Sequence, residues 1–237
     1  MDGLGLAVAW AVLGWVVGAL GGYAARALVA PDLASDEPPP RRVAFLGPLG
    51  VDLAIQSATA ISFGLLALSR GFGLMLLIYS LYAVALVLVF VIDARTRFVY
   101  NLLAYPAVVI GVVLTPFANQ QEIWNGLVGA LIGAGILQAL RLVGRRGYGG
   151  QEAIASGDVT IAAMVGAMTG VRGVLAALFA GSVLGFLIFV PGIVMRMRGN
   201  MAQGQSFKQA WGSSTRIYAA FGPGLCLGAL LMLLIAN

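Results

Sequence analysis

Histidine is missing from this 237-residue chain, and Cys226 is its only cysteine. A Ser-His-Asp triad, a Cys-His nucleophile pair, an H-E-x-x-H zinc site and a four-cysteine zinc site are therefore excluded. A disulfide within the chain is excluded too. Charge is almost as scarce: 10% of residues are charged against 60% hydrophobic, and mean hydropathy is +0.96, whereas soluble domains are about one quarter charged. The chain reads as an all-α polytopic membrane protein without metal or cofactor, and any hydrolytic chemistry must rest on carboxylates and hydroxyls. Basic residues are also missing from the first positions, where Asp2 stands and an apolar run long enough to span begins at Leu4. That start does not resemble a cleaved signal peptide, so the first helix is expected to stay.

What is there in abundance is glycine, 33 residues of it, a composition that lets membrane helices approach closely. A span needs about 20 apolar residues to cross a core about 30 Å thick. On that measure eight helices are expected, at about 4–29, 51–69, 72–92, 102–117, 123–142, 158–170, 173–195 and 217–236. Arg26, Arg41, Arg42, Arg95, Arg97, Arg141, Arg145, Arg146, Arg196, Arg198, Lys208 and Arg216 then fall on one side, with only Arg70 and Arg172 on the other. The positive-inside rule puts both termini outside and the loops of the larger set in the cytoplasm. The net charge of +5 is thereby explained by topology, and no nucleic-acid partner is expected. A single membrane-embedded domain over 1–237 is the economical reading, with residues 31–50 as a short, proline-rich cytoplasmic loop. The segment 196–216 mixes basic residues with Phe207 and Trp211 and suits either a solvated loop or anionic lipid.

Two acids stand out against this background. Asp93 ends the apolar run from Leu76 to Ile92, and Asp158 opens another after Ala155-Ser156-Gly157. A charge at the edge of a span is disfavoured by several kcal/mol at depth, so an acid retained there is a functional candidate. The plainer readings are an interfacial residue paired with Arg95 or Arg97 for Asp93, and a helix cap for Asp158. Both acids fall on the cytoplasmic side of the expected topology.

The residues around each acid carry a resemblance. Asp93, followed by Val99-Tyr100-Asn101, Leu103 and Pro106, resembles the first catalytic motif of the prepilin peptidases, an aspartate followed by Ile-Pro-Asn, Leu and Pro at the same offsets. Ala155-Ser156-Gly157-Asp158, continuing through Gly166 and Gly170, resembles their Gly-x-Gly-Asp motif. Ala220-Phe221-Gly222-Pro223-Gly224 resembles the family's Pro-Phe-Gly-Pro segment at the start of the last helix. The sequence departs from the family where Tyr100 replaces proline, Ala155 replaces the first glycine of Gly-x-Gly-Asp, and Thr160 stands at a frequent lysine. The paired Cys-x-x-Cys motifs are absent, and with them the zinc-bound element of the N-methyltransferase half.

The resemblance implies an aspartic endopeptidase of the inner membrane, multi-pass, with Asp93 and Asp158 catalytic and Asn101, Pro106, Gly157 and Gly166 supporting them. Its implied partners are type IV prepilin-like precursors and the lipid bilayer, with a membrane complex or a homodimer left open. A second reading is an inactive family member serving as a structural or assembly subunit; a third is a transporter, with Asp52 and Gln56 lining a polar path. The short sixth helix is expected to start below the cytoplasmic surface. Helix polarity favours Asp158 as the ionised acid, at a helix start, and Asp93 as the protonated one, at a helix end.

Overall fold

Inside a bilayer every backbone N–H and C=O must be satisfied within its own segment or a closed sheet, so uninterrupted apolar runs have the helix as their solution. The computed structural model describes residues 3–33, 48–96, 99, 101–119, 122–147, 154–204, 206, 207, 209 and 221–235, and among them the regular structure is all helix. The helices are α1 Gly3–Leu33, α2 Pro48–Arg70, α3 Leu74–Thr96, α4 Asn101–Asn119, α5 Ile123–Gly147, α6 Ser156–Ala202 and α7 Gly222–Ile235. Six are long and apolar enough to cross a membrane, and α7 is a shorter apolar helix. The protein is thus an all-α, multi-pass membrane protein.

Helix α6 is two helices in one run. Gly170 has φ 68° and ψ −176°, a region essentially open to glycine alone. Ala162, before this break, and Val174, after it, both lie against Gly133 of α5, so the chain reverses at Gly170 and its arms run antiparallel. The side chain of Asn125 holds the turn: Val171 N–H donates to Asn125 Oδ1 at 3.1 Å, an N-cap supplied by a neighbouring helix. With the reversal counted, the described residues give eight helical segments in the expected order. Asn125→Ala should lower folding stability by about 1–2 kcal/mol, the usual cost of a lost cap. Asn125→Asp keeps the acceptor and should lose less, as read from the midpoint of thermal unfolding in detergent.

Several segments run past their expected ends. α5 reaches Gly147 with Arg145 and Arg146 in its last turn, because hydropathy stops near the first arginines whereas arginine is a good helix former, favoured at a helix C-terminus. α6 likewise runs through Arg196 and Arg198 to Ala202, so residues 196–202 of the expected 196–216 loop are helical. α1 reaches Leu33 with no basic residue in its last turn. Of the expected loop at 31–50, residues 31–33 belong to α1, Pro48 opens α2, and 34–47 lie outside the described residues. Trp211 and the 217–220 part of the last expected helix also lie outside them.

Lipid tails are as apolar as leucine, so helix association rests on close packing and buried polar contacts. Glycines provide the approach: Gly129 meets the backbone of Gly166, Gly181 meets Gly224 and Leu225, and Gly228 meets Ala177 and Gly181. At one end of the bundle Arg70 Nη2 donates to the Leu233 carbonyl at 2.8 Å and stacks over the Tyr79 ring, 4.8 Å from its centre. Tyr79 and Tyr82 donate to the carbonyls of Ala118 and Gly111, at 3.4 and 3.1 Å. Arg172 follows the Gly170 turn at this same end. The opposite end holds Asp93, Asp158 and Gly222.

Candidate active site

Asp93 sits one turn before the end of α3 and Asp158 in the first turn of the first arm of α6. Both are buried, at 4% exposure each, where an acid without partners would be very costly. Chain polarity puts them at one end of the bundle, where α3 ends and α6 begins. The start of α7 lies between them. Asp93 Oδ2 occupies the space that a side chain on Gly222 would take, next to Ile161, while Asp158 accepts a hydrogen bond from the Gly222 backbone. Cys226, one turn further along α7 and fully buried, lies within electrostatic reach of both acids.

Asp158 has a second backbone partner. Ala155, the N-cap residue, has no side chain able to cap, and Asp158 Oδ2 instead accepts from the Ala155 N–H at 3.2 Å, half of a capping box. Ala155 has φ −72° and ψ 155°, ordinary extended backbone that any residue adopts, so alanine in place of glycine brings no strain here. The glycine that geometry does require is Gly157. A Cβ there would stand 2.6 Å from Val99 Cγ2 and 2.8 Å from Val99 Cβ, so a bare backbone lets the turn after α3 close onto the start of α6.

Asn101 is the first residue of α4 and exposed, and Pro106, within α4, is exposed as well. Gly166 packs on Gly129 of α5, two turns from Asp158. Tyr100, Arg97 and the side chain of Arg95 lie outside the described residues; Thr160 is half-buried. Gly222 and Cys226 were not singled out by sequence reasoning as site residues. The available signal was Gly222-Pro223 opening a helix on the side of the two acids.

Asp52, with Gln56 the basis of the transporter reading, is ion-paired with Arg26 of α1 at 2.9 Å. It faces Gly22, while the Gln56 backbone packs on Gly18. The Arg26 side chain is 52% exposed, and such pairs contribute about 0–1 kcal/mol. Asp52→Asn should therefore change unfolding stability by less than about 1 kcal/mol, measured as a shift in Tm, and leave any chemistry at Asp93 and Asp158 within about twofold of wild type.

Chemically, two buried carboxylates held close to each other resist ionising together, and a pair of that kind can share one proton. Such a pair can take a proton from water with one member and donate one with the other. No group of three or more metal-ligating side chains occurs among the described residues. Residues 80–190 match the family model described as the type IV leader peptidase family, a stretch running from α3 into the second arm of α6 and including both acids. No curated protein and no solved structure matches the chain.

Proposed function

We propose, from the match of residues 80–190 to the type IV leader peptidase family, that the chain is an aspartic endopeptidase acting through Asp93 and Asp158. The observation that carries the reading is the burial of both acids against the start of α7, with Asp93 beside Gly222 and Asp158 hydrogen-bonded to it. The ionised acid takes a proton from a water molecule, whose oxygen attacks the scissile carbonyl. The protonated acid donates to the carbonyl oxygen as it becomes tetrahedral. The pair then returns a proton to the leaving amine, the C–N bond breaks, and no covalent enzyme intermediate forms. Asp158 accepts from the Ala155 and Gly222 backbones and begins a helix, which suits the anionic role. Asp93 then holds the shared proton.

The substrate is a type IV prepilin-like precursor. Its apolar helix lies in the bilayer against the enzyme, and its basic leader stays on the cytoplasmic side of the inner membrane, a reading that the arginine distribution supports. Depth supports this. The arm 156–169 and the 14 residues of α7 are each about 21 Å long at 1.5 Å per residue, short of a core about 30 Å thick. Both start at the acids, which recesses the pair below the membrane surface and gives water and an extended leader junction a place to meet. The whole chain works as one domain, alone, as a homodimer or within a larger membrane complex.

Incubating the purified protein with a prepilin-like precursor tests the reading. One cut at the leader junction, located by mass spectrometry, is expected. The competing reading, an inactive family member acting as an assembly subunit, draws on Asp158 serving as a cap at the α6 start and on the substitutions at Tyr100 and Ala155. An intact precursor beside a folded protein would favour it.

A further inference from the structure

We propose that Gly222 is a positioning residue that sets the geometry of the acid pair: its backbone N–H fixes Asp158, and its missing side chain gives Asp93 the space it occupies. The inference rests on the aspartic reading of Asp93 and Asp158 and adds to it a third element, α7, which lies outside the family match at 80–190.

Three observations converge on this residue. A Cβ at 222 would coincide with Asp93 Oδ2 and stand 2.6 Å from Ile161 Cδ1. The Gly222 backbone is hydrogen-bonded to Asp158. Gly222 itself is buried, as are Asp93, Asp158 and Ile161, so neither acid can yield by swinging into solvent. One backbone position therefore contacts one carboxylate through space and the other through a hydrogen bond, and the separation of the acids depends on where α7 begins. That start is itself fixed. Gly224 packs against Gly181 and Gly185, and Gly228 against Ala177 and Gly181, so the second arm of α6 locks α7 against sliding along its axis. With α7 held at this height, a methyl group at 222 has two neighbours to displace: the end of a flexible isoleucine, or the oxygen of a carboxylate that must stay aligned for proton transfer. Alignment of reacting groups is sensitive to displacements of about 1 Å.

The two neighbours can be separated by mutation. Gly222→Ala in an Ile161→Val background removes the Cδ1 contact and leaves only the approach to Asp93. The double variant should unfold within a few degrees of Ile161→Val alone. Its cleavage of a prepilin-like precursor should fall at least tenfold in kcat with KM within about twofold, since the leader still binds and only the acids are displaced. Double-variant cleavage within twofold of Ile161→Val would overturn the proposal while leaving the peptidase reading intact. A second readout does not depend on cleavage. The chain has one cysteine, and Cys226 lies within reach of both acids, so its S–H stretching band in the infrared is a single-site reporter of their geometry. The band should move in the double variant, relative to Ile161→Val, as it moves in Asp93→Asn. A band that moves in Asp93→Asn but stays fixed in the double variant would overturn the proposal even if no precursor were cleaved by any form of the protein.

Discussion

Asp93→Asn and Asp158→Asn should each lower leader cleavage by more than about a thousandfold while the protein stays folded in the membrane. General acid–base catalysis by one positioned group is worth about 10²–10⁴ in rate, and here each acid serves in both halves of the reaction. Asparagine keeps the shape of aspartate but cannot exchange the proton. At position 158 it also keeps an acceptor oxygen for the Ala155 amide, so the start of α6 remains capped. Asp158→Ala removes that acceptor and leaves the buried Gly222 amide without it, which costs about 1–3 kcal/mol. The Asn variant is therefore the informative one: a cap should survive Asn with activity intact, whereas a catalytic acid should not. Residual cleavage above about a tenth of wild type in both Asn variants would contradict an aspartic mechanism.

The second large effect is on folding. Gly166→Ala should reduce the yield of folded protein several-fold, because its Cβ would meet the Gly129 carbonyl and stand 2.9 Å from the Ala130 nitrogen. Overpacking of this kind costs about 1–3 kcal/mol when side chains can yield, and here the neighbour is backbone, which yields least. The fraction that does fold should cleave with a kcat within about threefold of wild type, since position 166 is two turns from Asp158. Wild-type thermal stability combined with lost catalysis would instead move Gly166 into the site. Unfolding midpoints and kcat, measured on the same preparation, decide between the two.

Much of the architecture was legible in the sequence because the bilayer imposes a simple rule, that apolar runs of sufficient length become helices. The alternation of arginines added the direction of each helix, and with it the prediction that Asp93 and Asp158 share an end. The sixth helix is expected to end at 170 and the seventh to begin at 173, and the reversal lies at Gly170, the last residue assigned to the sixth. What the sequence did not disclose depends on side chains meeting across the bundle. Nothing in the spacing of Asn125 indicates that it caps a helix beginning at Val171. Gly166 carried a motif position but packs on another glycine, a contact that only the crossing of α5 and α6 creates. Gly222 was visible as the start of a helix, yet its place between the acids depends on α7 being locked against the second arm of α6. Asp52 looked like a candidate for a polar path until Arg26, a helix away in the chain, proved to face it.

The central claim is that Asp93 and Asp158 form one proton-sharing pair, and infrared spectroscopy of carboxyl groups tests it most directly. Wild-type protein at neutral pH should show a protonated-carboxyl band that disappears in Asp93→Asn and persists, shifted, in Asp158→Asn. Absence of any such band in the folded wild-type protein, or a band untouched by both substitutions, would contradict the account.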